Sequence, residues 1–331
     1  MKNELIESHV REAFLCGDPT AIISMGEMYL RINNLPSPGN MEQFLLGEPL
    51  YLGEEGSSHW GMSTEDAIRC LFDTKRTTAF IKGIASGIKE IKKQKPFEQV
   101  RVIEAGGGTG ILAIAAAFAG AKVDVLEINP TTAQETARFI AALGLTDQIT
   151  VINTDATTYN PQDSVDMIIT ECMHTGLAIE PQIQIMQHLR SYLTPEGLLI
   201  PKGVFLSYAL ARAQMNNNHQ HTEVRNLASI DHIGPWSGKQ YIDFKTARSG
   251  EITFIAEMST VPANVVLAEM DVQVHDGILL KSGEAAFLGQ PHAIELDAPK
   301  ELHPSEETHA FVHYTMGGKF LHTVYPFKHG E

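Results

Sequence analysis

Apolar positions change period twice along this chain. Over residues 1 to about 35, Leu5, Ile6, Val10, Phe14 and Leu15 are spaced to bury one face of a helix. Leu35-Pro36-Ser37-Pro38-Gly39-Asn40 reads as a loop. Residues 64–94 return to a helical period as one or two helices, with Ser63 or Thr64 as N-cap and a lysine-rich turn at the end. From residue 100 the pattern shortens. Apolar runs at 101–105, 122–127, 149–153, 165–170 and 198–201 alternate with helical stretches near 109–119, 131–143 and 180–193. Strict alternation predicts an α/β fold, a doubly wound and mostly parallel sheet with helices on both faces. Thr194-Pro195-Glu196-Gly197 is expected as the turn that closes the last helix and feeds the next strand. Beyond about residue 204 the helical period fades. Runs at 252–256, 265–274, 310–314 and 320–325 predict a C-terminal antiparallel β domain, a sandwich or barrel. Three regions follow: an N-terminal helical segment (1–95) capping the central site, the parallel-sheet domain (96–203), and the β domain (204–331) for substrate or dimer contacts.

Composition narrows the function classes. The 331 residues are 43% hydrophobic and 20% charged, which suits a globular enzyme rather than a disordered chain. A formal net charge of −15 argues against binding nucleic acid or an anionic membrane, and suits a cationic partner. Cys16, Cys70 and Cys172 are too few and too scattered for a disulfide framework or a paired metal motif. No metal and a cytoplasmic setting are therefore expected. Met1-Lys2-Asn3-Glu4-Leu5 does not open like a signal peptide. The longest apolar stretch, 111–120, is too short to span a bilayer.

The most specific chemistry lies in Glu104-Ala105-Gly106-Gly107-Gly108-Thr109-Gly110, between a predicted strand and a small-residue helix. Gly106, Gly108 and Gly110 permit positive φ and let a ligand approach the main chain. The helix N-terminus behind them offers free N–H groups to an anion. Glu127, 17 residues past Gly110, ends the second strand, where a carboxylate grips ribose hydroxyls. Gly108-Thr109-Gly110-Ile111-Leu112-Ala113 also matches the dinucleotide pattern G-x-G-x-x-A, so a nicotinamide or flavin site is the rival. Glu104 would crowd a pyrophosphate, and Asp155, just after the third strand, is placed to meet an adenine edge. Both favour a sulfonium cofactor, S-adenosyl-L-methionine.

Glu171 ends the fourth strand, at the edge of the sheet where ligands bind in such folds. A loop of eight residues then leads to Glu180 at a helix start. Two carboxylates so placed can clamp a planar guanidinium.

The stretch Glu171-Cys172-Met173-His174-Thr175 with Glu180 resembles the double-glutamate loop of the protein arginine methyltransferases, S-E-W-M-G-Y followed by a second glutamate. Cys172 stands in place of that family's Trp, and His174-Thr175 in place of its Gly-Tyr. Leu193-Thr194-Pro195-Glu196-Gly197 through Pro201 is similar to its L-x-P-x-G-x-x-x-P. Asp73-Thr74-Lys75-Arg76-Thr77 is similar to its D-x-x-R-T helix, and His59-Trp60-Gly61 to an H-F-G segment. The resemblance spans about residues 57–201. It implies a Rossmann-like class I methyltransferase fold, binding of the cofactor carboxylate by Arg76, and methylation of a nitrogen held by Glu171 and Glu180. The family's T-H-W loop has no counterpart; Thr308-His309-Ala310 is the nearest tripeptide. The acceptor is expected to be a cationic small molecule or peptide. Two alternatives stay open: O-, N- or C-methylation of a small metabolite, and a binding scaffold without catalysis. A homodimer is also left open, although the family's dimerisation arm is hard to identify within 211–245.

Blander readings stand beside these. Glu180 before Pro181 also reads as an acidic helix cap, and Arg76 as a solvated charge on a helical face. His174 is a candidate base, yet a lone histidine is more often a hydrogen-bonding partner. His219-Gln220-His221 lacks metal-ligand spacing and reads as solvated. Trp60 suits either a pocket cover or core, and Met25, Met28 and Met62 read as packing.

Overall fold

The computed structural model describes residues 8–45, 51–52, 61–177, 180–215, 221–223, 227–256, 263–286, 288–295, 308–316 and 323–328. His59, Trp60, His219 and Leu5–Ile6 lie outside the described residues.

Helices α1 (Ser8–Leu15) and α2 (Pro19–Ile32) open the chain; α3 (Met41–Leu45) is a short turn of helix. Asp18 caps α2 by accepting from the N–H groups of Thr20 and Ala21, with Pro19 in the first turn where its missing N–H costs nothing. Of the predicted face on α1, Phe14 is fully buried. The 64–94 region divides into α4 (Thr64–Phe72) and α5 (Thr74–Gln94). Ser63 caps α4, and its hydroxyl donates to the Asp66 carboxylate at 2.6 Å. Asp73 is both the C-cap of α4 and the N-cap of α5, its carboxylate accepting from Arg76 N–H. That break sets the direction in which Arg76 leaves its helix.

The parallel sheet follows in strands β1 (Val100–Ala105), β2 (Ala121–Glu127), β3 (Ile149–Asn153), β4 (Val165–Thr170) and β5 (Leu193–Ile200). Their spatial order is β3-β2-β1-β4-β5, every pairing parallel. Helices α6 (Ile111–Phe118), α7 (Pro130–Ala142) and α8 (Gln182–Leu189) connect them. The order reverses around β1, so a crevice opens past the ends of β1 and β4. Every residue of α6 is buried, packed between α5 and the sheet.

Two boundaries differ from expectation. The helix predicted over 180–193 ends at Leu189 and continues as a 3₁₀ turn, Arg190–Tyr192. Thr194–Gly197 lies inside β5 rather than before it. Pairing jumps from Val165–Leu193 to Met167–Leu198, a bulge that takes up the extra residues. Because β5 is an edge strand, Pro195 deprives no neighbour of a hydrogen bond.

The remaining chain is antiparallel. Strand Gly203–Met215 is flanked by Val265–His275 on one side, and by Leu227–Trp236 and Gln240–Asp243 in succession on the other. Gly250–Ala256, Thr308–Met316 and Thr323–Lys328 form a second, three-stranded sheet. Of the predicted 320–325 run, 323–325 lie in the last of these and 320–322 lie outside the described residues. Alternate residues Val204, Leu206, Tyr208 and Leu210 join one core with Ile84 and Ile88 of α5 and with the parallel sheet. Helix α5 therefore packs on both sheets and holds the β domain beside the crevice.

Candidate active site

The turn after β1 is held open from three directions. Gly106, Gly108 and Gly110 have φ values of 74°, 51° and 73°, in the left-handed region. The N–H groups of Gly106 and Gly107 donate to the Leu126 carbonyl at 2.9 and 3.0 Å. The Gly108 N–H donates to Glu127 Oε2 at 2.8 Å, and Glu127 Oε1 accepts from Asn129 N–H at 2.8 Å. A Cβ on Gly106 would lie 2.2 Å from Cys172 Sγ. The main chain of the turn thus packs against Cys172 with no room for a side chain between them.

Around this turn lies an open pocket whose empty space, mouth included, is about 880 Å³. Arg76, Glu104, Glu127, Glu171, Glu180 and the turn itself line it. Among the described lining residues Arg76 is the one basic side chain, set against four carboxylates.

Glu104, next to last in β1, is 2% exposed and accepts from Ala113 N–H at 3.0 Å. Burial pushes its carboxyl up to about 8, opposed by that hydrogen bond and by Arg76. A folded value above the unfolded one means a stabilising contribution that is complete at acid pH and is lost as pH rises through about 8. The unfolding temperature of Glu104→Gln is therefore expected to gain on the unsubstituted chain between pH 5 and pH 8. A difference that stays constant across those pH values would show that the carboxyl titrates normally.

Arg76 is buried on the first turn of α5. Its Nε donates to Glu171 Oε2 at 2.5 Å, Nη2 pairs with the same oxygen, and Nη1 donates to the Cys70 carbonyl at 3.2 Å. Burial raises the Glu171 carboxyl, and the adjacent guanidinium draws it back down. Burial also pushes the Cys70 and Cys172 thiols well up, so both are poor nucleophiles.

Gln182, fully buried at the start of α8, ties the loop at its base. It accepts from Cys172 N–H at 2.9 Å and donates to the Thr170 carbonyl at 3.2 Å. The far side of the loop rests on the β domain. Thr175 donates to the Gln290 carbonyl at 2.7 Å, and the His174 ring packs edge-on against His292, centroids 4.1 Å apart. His174 Nδ1 lies 3.1 Å from the Thr175 carbonyl. Residues 178–179 lie outside the described residues.

Sequence reasoning singled out Arg76, Glu104, Gly106, Gly108, Glu127, Glu171 and Glu180, and the structure brings them to one pocket. Gly110 stands just behind it as the N-cap of α6. Asp155 is not brought there. Its Oδ1 accepts from the N–H and hydroxyl of Thr157, at 2.8 and 2.7 Å. Met62, expected only to pack, lines the pocket with Ile128 and Thr132. Gln182 was not anticipated, because a buried glutamine two residues past Glu180 carries no sequence signal by itself.

Residues 102–197 match a family described as methyltransferase domain. An arginine N(omega)-methyltransferase of Streptomyces achromogenes subsp. streptozoticus is 34% identical over 142 residues, 41% of this chain and 37% of that protein. Protein arginine N-methyltransferase 1 of Dictyostelium discoideum is 33% identical over 44% of this chain and 40% of its own length. An uncharacterised protein of Methanocaldococcus jannaschii is 28% identical over 47% of this chain and 60% of its length. The chain thus spans between about a third and three fifths of these relatives. In fold it is similar to the Trypanosoma brucei PRMT1 enzyme–prozyme heterotetrameric complex with AdoHcy. The TM-score is 0.57 at 18% identity, covering 78% of this chain and 96% of that one. Arabidopsis thaliana protein arginine methyltransferase 10 gives 0.55 at 16% identity, covering 72% and 84%. Among the described residues no helix is long and apolar enough to cross a membrane. The chain carries a methyltransferase domain of the class that uses S-adenosyl-L-methionine, and in fold and motif it resembles the protein arginine methyltransferases.

Proposed function

We propose that this chain transfers a methyl group from S-adenosyl-L-methionine to a guanidine or amine nitrogen held by Glu171 and Glu180. The observation that carries the reading is the make-up of the pocket: four acidic side chains around a single arginine, beside a glycine turn pressed against the loop. A ligand set bearing cations and one carboxylate matches it, and a pyrophosphate does not. Two of the relatives are named for methylating arginine, a guanidine.

When bound, the cofactor supplies an electrophilic methyl group on a sulfonium. The protein's own work is alignment and electrostatics. Glu127 is fixed by two backbone N–H groups and keeps lone pairs for ribose hydroxyls. Arg76 would hold the carboxylate, and Glu104 would face the ammonium. Glu171 and Glu180 would grip the acceptor and turn its lone pair toward the methyl carbon. With the methyl carbon passing from sulfur to nitrogen, the S–C bond would break to leave a neutral thioether, and one of these carboxylates would take the nitrogen's proton, directly or through water. A carboxyl raised by burial, as at Glu171, is suited to receive it.

The test is incubation with methyl-labelled cofactor and a panel of free arginine, arginine-containing peptides, lysine and simple amines, with products read by mass. Label on a nitrogen supports the reading. Label only on oxygen or carbon, or no cofactor binding by calorimetry, would remove it.

A further inference from the structure

Thr136 stands fully buried in the middle of α7, yet its hydroxyl does not serve that helix. A threonine so placed usually returns its hydroxyl to a carbonyl one turn earlier in its own helix. Here Oγ1 donates at 2.5 Å to the carbonyl of Gly108, 28 positions away in the glycine turn. The methyl on the same Cβ faces the turn as well: a Cβ on Gly110 would lie 2.7 Å from Thr136 Cγ2. Helix α7 is itself pinned to α2 and the residue after it. The Tyr29 hydroxyl donates to Glu135 Oε2 at 3.2 Å, and Arg138 Nε donates to Asn33 Oδ1 at 3.0 Å. The Thr136 hydroxyl therefore rests on a fixed support.

From this geometry we infer that Thr136 is a positioning residue for cofactor binding, acting through the Gly108 peptide. The inference rests on the proposed function and adds to it a residue behind the turn, outside the pocket lining. Gly108 is gripped on both of its sides. Its N–H donates to Glu127 Oε2, and its carbonyl accepts from Thr136. Fixing that carbonyl fixes the plane of the Gly108–Thr109 peptide, because a peptide unit is rigid and planar. Gly108 and Thr109 both line the pocket, and Gly108, at a φ of 51°, has no Cβ to hold the turn by packing. The hydroxyl of Thr136 supplies that hold from outside. Without it the carbonyl loses its partner and turns toward the open pocket, where water can serve it. The Gly108 N–H then shifts off Glu127, the carboxylate placed to take the ribose hydroxyls.

Two substitutions separate the hydroxyl from the methyl. Thr136→Val keeps the branched shape but cannot donate, and Thr136→Ser keeps the hydroxyl but drops the methyl. S-adenosylhomocysteine, the cofactor without its methyl group, is titrated calorimetrically into both and into the unsubstituted chain. Thr136→Val is expected to bind about tenfold more weakly, the span of one hydrogen bond, and Thr136→Ser within about threefold of the unsubstituted chain. If Thr136→Ser binds as weakly as Thr136→Val, or Thr136→Val as tightly as the unsubstituted chain, packing by the methyl is what counts and the inference is overturned. In turnover, Thr136→Val should raise the cofactor KM by about tenfold and leave kcat within about twofold, the pattern of binding lost equally from ground and transition states. Loss of folded protein gives the reverse, a lower kcat at an unchanged KM, and that result also overturns the inference. Should Thr136→Val fold poorly, Thr136→Ser against Thr136→Ala repeats the comparison with the hydroxyl alone differing. Equal affinity of those two overturns it. Absence of any binding to the unsubstituted chain would remove the function reading and this inference together, whereas tight binding with the wrong order among variants removes only the inference.

Discussion

Glu180→Gln is expected to lower kcat/KM for the acceptor by about 100- to 1,000-fold, and Glu171→Gln by at least as much, with both variants still binding the cofactor. The magnitude follows from what a single charge-directed contact contributes at a reacting centre, about 3–4 kcal/mol where water is excluded. Glutamine keeps the shape and one acceptor oxygen but removes the negative charge that draws a guanidinium and takes its proton. The loss should fall on kcat as well as KM, because a misaligned lone pair lowers the rate even when the acceptor is saturating. Glu171→Gln carries a second consequence. The buried Arg76 loses its ionic partner, so its unfolding temperature without cofactor should fall and be largely restored by S-adenosylhomocysteine. The measurements are steady-state kinetics with labelled cofactor and parallel binding by calorimetry. Full turnover in both variants would leave the two carboxylates as ordinary pocket lining.

Much of this site was legible because a parallel sheet brings the ends of its strands to one edge. Once the 122–127 and 165–170 runs are read as strands, which is where β2 and β4 lie, Glu127 and Glu171 must emerge on the same side as the glycine turn. No pairwise contact has to be foreseen for that. What escaped depends on contacts between residues far apart in the chain, or on competition for a single side chain. Arg76 and Glu171 are 95 positions apart, and nothing local in either segment shows that they pair. Asp155 does not line the pocket, and its Oδ1 accepts from the N–H and hydroxyl of Thr157, a local turn that the residue types alone do not announce. Met62 reads as packing by composition and becomes a pocket wall only because the chain ahead of α4 comes back over β2 and α7. The bulge in β5 escaped because proline and glycine signal a turn in either setting. Only the position of β5 at the edge of the sheet allows both inside the strand.

Gly106→Ala is expected to weaken S-adenosylhomocysteine binding by about 10- to 100-fold and to lower the unfolding temperature. Two separate costs meet at this position. The backbone φ of 74° costs a residue with a Cβ roughly 1–2 kcal/mol. The new methyl would also sit 2.2 Å from Cys172 Sγ, well inside van der Waals contact. Cys172 has little room to retreat, since its N–H is held by Gln182 and its thiol faces the Ala105 carbonyl. Overpacking of this kind costs about 1–3 kcal/mol more. The chain can relieve both costs by moving the turn outward, but outward is the space in which a ligand would lie against Gly106–Gly108. Strain left in place therefore appears as lost stability, and strain relieved appears as lost affinity, at tenfold for every 1.4 kcal/mol. A second substitution separates the two. Cys172→Ala in the Gly106→Ala background removes the clash and leaves the φ cost, so affinity should recover by about tenfold without reaching the original value. If Gly106→Ala instead binds as tightly as the unsubstituted chain, the turn does not cradle the cofactor, and the likeness of this segment to a methyltransferase loop would be one of shape alone.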